Sequence, residues 1–183
     1  MVELATRLQS YEPVRQFDFE IDIALPGGSP GGESIKISVE SAFLPNVTNE
    51  EIELPYWNSR IWVAGKASYE TGTLTLRDFV DAGTAATIWN WYQKVYDAGS
   101  FGGASGGTIG RQSDYKATAD VIAYSVGHDG GDEAGHWFLA GVWPTAVNFG
   151  TLDYTANDIV KIEVTLRYEH VEWKGGAGGT GGL

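Results

Sequence analysis

From Val160 to Glu169 the chain alternates without a break. Val160, Ile162, Val164, Leu166 and Tyr168 fall on one side, and Lys161, Glu163, Thr165, Arg167 and Glu169 on the other. A period of two belongs to a strand with one buried face and one wet face. Because a slip of one residue would carry every apolar side chain into water, such a segment has to pair in one register over a covered face. The chain must therefore build an amphipathic sheet.

Similar patterns recur. Phe17, Phe19, Ile21, Ile23 and Leu25 alternate with Asp18, Glu20, Asp22 and Ala24, which predicts a first strand. Pro26 to Gly32 is a run of turn formers, after which Ile35, Ile37 and Val39 alternate with Lys36, Ser38 and Glu40. The two segments together predict a hairpin with a long tip. Residues 44–59 read as irregular, with Pro45, Pro55, Glu50, Glu51 and Glu53 among scattered Val47, Ile52, Leu54, Tyr56 and Trp57. A loop this apolar calls for a surface to lie on. Strands are expected again over 60–69 and 72–79, joined by Glu70-Thr71-Gly72.

One helix stands out. Ile88, Trp91, Tyr92 and Val95 sit at i, i+3, i+4 and i+7, with Asn90, Gln93 and Lys94 opposite and Thr84 placed as the N-cap. Residues 97–112 are glycine-rich and predict a flexible loop. Tyr115 to Ser125 and His136 to Val142 predict a second hairpin around the turn 127–132. The fold class is mainly β, with one flanking α-helix.

Composition narrows the function. Across 183 residues, Asp+Glu number 24 against Lys+Arg 12, a net charge of -12, so the basic footprint of a nucleic-acid binder is missing. There is no cysteine, which removes disulfides, zinc–thiolate sites and thiol catalysis. Met1 to Gln16 lacks the apolar run of a signal peptide, and no later run reaches transmembrane length. The sequon Asn46-Val47-Thr48 is accordingly expected to carry nothing.

Catalytic motifs fail on context. Gly103-Ala104-Ser105-Gly106-Gly107 matches G-x-S-x-G and pairs on paper with His128 or His136. A nucleophile elbow needs a strand before it and a helix after it, whereas this run follows a helix and precedes a strand. The same stretch has no P-loop lysine. His128, Asp129, Asp132, Glu133 and His136 form a metal-like grouping but equally describe a polar hairpin tip. No catalytic, cofactor or metal site is expected. The seven tryptophans and nine tyrosines admit a carbohydrate-binding β-sandwich, although Trp62, Trp91, Tyr92 and Trp143 all have a structural place first.

Trp137 to Val147, with its Trp143-Pro144 turn, then Leu152-Asp153-Tyr154, then the strand 159–169 closing in Arg167-Tyr168-Glu169-His170, resembles the C-terminal half of myovirus-type tail tube proteins. Gly72 to Phe79 leading into Trp89-Asn90-Trp91-Tyr92 resembles the strand-then-helix segment of that family. The resemblance spans Phe17 to about Glu172 and leaves Gly175 to Leu183 unmatched.

It implies an antiparallel β-sandwich or half-barrel with one flanking helix, closing as a β-barrel tube in a hexameric ring. It also implies a division into an N-terminal arm (1–16), a tail-tube β domain (17–173) and a glycine-rich tail (174–183). The implied role is a structural subunit of a contractile-tailed phage, its rings stacked as the inner conduit for DNA during ejection. Implied partners are further copies of itself, tail sheath, tape measure, baseplate hub and tail terminator. The implied location is the virion tail, assembled in the bacterial cytoplasm. A tube of a phage-tail-like bacteriocin or secretion-system device uses the same fold. On this reading Ile52, Leu54, Tyr56 and Trp57 reach a neighbouring subunit. Asp18, Glu20 and Asp22, with Glu40 from the expected hairpin partner, face the lumen, where carboxylates would keep passing phosphates from sticking.

Overall fold

The structure, a computed structural model, describes residues 14–26, 32–99, 107–125 and 133–176. A mainly β, curled antiparallel half-barrel is built from one seven-stranded sheet. Its strands are β1 (Phe19–Ala24), β2 (Val39–Ser41), β5 (Gly72–Arg77), β8 (Ala117–Tyr124), β9 (Glu133–Asn148), β10 (Lys161–Arg167) and β11 (His170–Gly175), in the order β1-β8-β9-β10-β5-β2 with β11 also on β9. The long β9 pairs with β11 through its first half and with β10 through its second. Of the alternating segment at 160–169, residues 163–167 thus pair with the second half of β9, and the chain from His170 onward continues along its first half.

The apolar side of the alternation becomes the core. Ile162, Val164 and Leu166 of β10 face the same interior as Leu74 and Leu76 of β5, Leu139 and Val142 of β9, Val121 of β8 and Ile21 and Ile23 of β1. The helix α2 (Thr84–Val95) covers that interior with Ile88 and Trp91, and the Trp91 indole N–H is satisfied by the carbonyl of Tyr115 at 2.8 Å. A buried indole without that acceptor would cost about 1–3 kcal/mol. Two short helices, α1 (Gly32–Ser38) and α3 (Gln112–Tyr115), stand beside the expected one.

Three expectations are corrected. Residues 32–38 form α1, not a strand, because helical spacing buries Ile35 and Ser38 one turn apart and leaves Ile37 in water. Consequently β1 has no hairpin partner in 35–40; it pairs with β8, and β2 pairs with β5. Residues 47–56 are not a loop but β3 (Val47–Tyr56), which forms a long antiparallel ribbon with β4 (Ser59–Tyr69). Thr84 is not the N-cap. Gly83 takes that position with φ 63°, a left-handed conformation suited to glycine, while the buried Thr84 hydroxyl bonds Ser38 Oγ at 2.6 Å. The ends of the glycine-rich loop join as β6 (Tyr96–Asp97) and β7 (Thr108–Ile109), and residues 100–106 lie outside the described part.

Candidate assembly surfaces

Among the described residues the ribbon β3–β4 pairs only with itself. Its register sets Ile52 opposite Val63 and Leu54 opposite Ile61, so Ile52, Leu54, Tyr56, Ile61 and Val63 share one face. Glu51, Glu53, Arg60 and Trp62 share the other, where Arg60 Nε meets Glu53 at 3.0 Å. Every one of these large apolar side chains is exposed, and Trp57 at the tip is 95% exposed. Trp57 also takes φ 54°, an unfavourable conformation for a bulky residue, which the two-residue turn between Tyr56 and Ser59 imposes. An isolated two-stranded ribbon is marginal in water, and an apolar face on it more so. The structure thus brings the four expected contact residues onto one projecting element; Trp62, expected to pack a sheet, stands in solvent beside them.

The base of the ribbon is fixed by Tyr168, in the short break between β10 and β11. Its hydroxyl accepts from the Asn46 N–H at 2.9 Å and donates to the Asn46 carbonyl at 3.1 Å. Phe43 stacks on its ring and Tyr69 packs tilted against it, each with centroids 5.8 Å apart. Burial pushes the Tyr168 hydroxyl above the usual phenol range. A Cβ at Gly72 would overlap a ring carbon of Phe43, so only glycine admits this close approach.

The four expected lumenal carboxylates are not equivalent. Asp18 is buried just before β1, its backbone N–H on the Arg15 carbonyl and its own carbonyl accepting from Tyr124. Glu20 is paired with Lys36 of α1 and accepts from the Tyr124 hydroxyl at 3.2 Å. That hydrogen bond to Glu20 raises the Lys36 ammonium above its ordinary pKa. Asp22 is exposed and lies directly opposite Asp120 of β8, whose carboxylate meets His136 Nε2 at 2.8 Å. Glu40 sits on β2, at the other edge of the sheet from β1, with Lys161 at 2.6 Å and Arg77 at 3.2 Å. Lys161 first, then Arg77, holds its carboxyl below the ordinary carboxylate value.

Two further surfaces escaped the sequence reading. The sheet edges β1 and β2 line a single groove of about 1130 Å³ together with Val14, Phe17, Phe43 and Leu44, so the curl brings its two unpaired edges face to face. At the end of the sheet where Arg77 pairs with Lys161, Val80, Leu152, Tyr154 and Ile159 are all exposed. Leu152-Asp153-Tyr154 was visible in the sequence as a motif, but nothing local announced that both apolar members would stand in water.

The motifs that suggested chemistry gain no support. Gly103 to Gly106 and His128, Asp129 and Asp132 lie outside the described residues. His136 is bonded to Asp120 and approaches Glu133 at 3.4 Å, and among the described residues no group of three or more His, Asp or Glu is arranged to hold a metal.

Comparison with known proteins places this geometry. Residues 15–172 match the family described as T4-like virus tail tube protein gp19. The tail tube protein gp19 of Enterobacteria phage T4 is 28% identical over 144 residues, covering 77% of this chain and 83% of the relative. Among solved structures, the anti-feeding prophage tube-terminating cap superposes with a TM-score of 0.65 at 16% identity, covering 90% of this chain and 92% of that one. The sheath/tube terminator of an extracellular contractile injection system gives 0.64 at 16%, covering 91% and 99%. The two structures share the fold; the family match, over nearly all of the folded body, carries the identity. This chain belongs to the T4-like virus tail tube protein gp19 family, whose members are structural tail tube proteins and not enzymes.

Proposed function

We propose that this chain assembles into hexameric rings that stack as the inner tube of a contractile tail, a passive conduit for DNA during ejection. The observation that carries it is the β3–β4 ribbon, whose apolar face of Ile52, Leu54, Tyr56, Ile61 and Val63 stands exposed, with no cover among the described residues of its own subunit. Lateral neighbours would use the unpaired edges of β1 and β2, since an exposed edge is a template for another chain. The body would span 17–173, with 1–16 as an arm and 174–183 as a tail. Tail sheath, tape measure, baseplate hub and terminator would be its partners, in a virion assembled in the host cytoplasm.

Of the four carboxylates, exposed Asp22 is the best lumenal candidate. Glu20 and Glu40 would give a wall of carboxylates held beside ammonium and guanidinium groups. The fold likeness to an extracellular contractile injection system also favours a second reading, a tube that delivers something other than a genome.

Sedimentation velocity and negative-stain microscopy test assembly. Tubes or rings should form as concentration rises, and Trp57→Ser should weaken them while leaving the circular dichroism of the subunit unchanged. A strictly monomeric wild-type particle at every concentration and salt would remove the proposal. Asp22→Lys tests the conduit: tails should still form but release DNA more slowly, because a cationic wall binds phosphate. Unchanged release from full tails would discard the lumenal role of Asp22.

A further inference from the structure

Strands β1 and β2 stand at the two ends of the strand order, and the groove of about 1130 Å³ between them has Phe19, Ile21, Val39, Phe43 and Leu44 in its walls. A bare strand edge beside an apolar trough is a template for an extended segment, which takes main-chain hydrogen bonds from the edge and burial from the trough. The chain itself enters here. Val14, Arg15, Gln16 and Phe17 belong to the same wall, and Phe17 is 78% exposed. The Asp18 N–H bonds the Arg15 carbonyl at 3.3 Å, the i to i+3 bond of a reverse turn, so the residues before Arg15 are led back beside β1 rather than away from it.

We propose that in a lone subunit residues 2–8 of the same chain occupy this groove as an extended segment, and that a neighbour's edge must displace them when subunits join side by side. The first half of the inference concerns the single subunit; the second rests on the tube reading above. The segment would act as an internal cover, holding the groove shut against chance partners until the correct one arrives.

Sequence selects the occupant. Five segments lie outside the described residues: 1–13, 27–31, 100–106, 126–132 and 177–183. Each of the last four carries three or more glycines, which weaken a strand, whereas 1–13 carries none. Val2, Leu4 and Leu8 fall on one side of a period of two, with Glu3, Arg7 and Gln9 on the other, the pattern of a strand with one face to bury. At about 3.3 Å per residue, Val2 to Leu8 spans about 20 Å, and residues 9–13 leave about 16 Å of tether to the turn. A tether rooted in the groove's own wall gives an effective concentration of about millimolar, far above that of a free neighbour in dilute solution.

Amide exchange on the full chain, dilute enough to sediment as a monomer, tests the cover. Leu4→Asp with Leu8→Asp should raise exchange over 19–24 and 39–44 several-fold and leave 162–166 unchanged; equal exchange in variant and wild type would overturn the inference. The chain has no cysteine, so introduced thiols locate the segment. Leu8→Cys with Leu44→Cys in one chain should close an intrachain disulfide under mild oxidation, several-fold more slowly when Leu4→Asp is added. A rate indifferent to Leu4 would mean chance collision of a tethered thiol and would also overturn it. Assembly separates the chain's own segment from that of a second copy. If the segment competes with a neighbour, the double aspartate variant should form tubes sooner than wild type. Slower assembly would assign the groove to a second copy's segment, overturning the inference and leaving the tube reading standing. A wild-type chain that never forms tubes would remove the tube reading alone, and exchange would still decide the cover.

Discussion

In the β5–β10 pair, Leu74, Leu76, Ile162, Val164 and Leu166 are sealed under α2 and the rest of the sheet; in the β3–β4 pair, Ile52, Leu54, Ile61 and Val63 stand in water. Both pairs are antiparallel, and both set apolar residues directly opposite one another. The difference lies in what surrounds them. Strands β10 and β5 have neighbours on both sides, whereas among the described residues β3 and β4 have only each other. Alternation therefore declares that a face must be covered without saying by which molecule.

That contrast can be broken at its strong end first. Leu74→Ala removes a fully buried side chain and should destabilise the unassembled subunit by about 2–5 kcal/mol in urea titration. A loss as small as that of a surface change would show that the β5–β10 interior is not the core. Next, Tyr168→Phe leaves the Asn46 N–H without its partner, while the Asn46 carbonyl keeps the Glu70 N–H at 3.2 Å, and should cost about 1–3 kcal/mol. Amide exchange over 46–69 should rise more than over 161–167. Equal protection in both would deny Tyr168 its place at the base.

The Tyr168 hydroxyl also predicts a pH effect. Its folded pKa lies above the unfolded value, so its contribution is complete below the ordinary phenol pKa of about 10 and is lost as pH rises from there through the folded value. The alkaline limb should flatten in Tyr168→Phe. Glu40 acts in the opposite direction and more weakly. Its carboxyl is held low, so its contribution is present above the ordinary carboxylate pKa and fades as pH falls through the lowered value. Glu40→Gln should therefore shift subunit stability slightly at neutral pH and not at all once the pH has fallen below the lowered value. The smallest effect on the isolated subunit is expected from Ile52→Thr with Leu54→Thr, within about 0.5 kcal/mol, although the same pair should abolish tubes. Strong destabilisation of the subunit would mean that the ribbon face is covered from within.

The long amphipathic strands and α2 were legible because their periods run far enough to be unambiguous, as in Val160 to Tyr168 and Ile88 to Val95. The Ile35-Ile37-Val39 run was too short to separate strand from helix, and only packing decides that Ile35 turns inward while Ile37 does not. In β3, Pro55 and three glutamates, with Pro45 just before the strand, hid an alternation of Ile52, Leu54 and Tyr56. Pro55 is tolerated because the ribbon is all edge. The expected contact residues on that element could be named from the sequence, but the exposure of Val80 and Tyr154 could not, since it follows from where the ends of β5 and β9 are delivered. The hairpin expected to bring Glu40 beside Asp18, Glu20 and Asp22 is absent, since β1 pairs with β8 and β2 with β5.

Tyr168 gives the ribbon a fulcrum. Ten residues of strand reach about 33 Å, so a tilt of about 10° at Asn46 would sweep the tip through about 6 Å, enough to miss or find a different seat. One phenol, gripping both the N–H and the carbonyl of a single residue, therefore sets the aim of a lever far longer than itself. In the proposed tube, errors in that aim would repeat with every copy, and a bias of a few degrees at one tyrosine would be carried along its whole length.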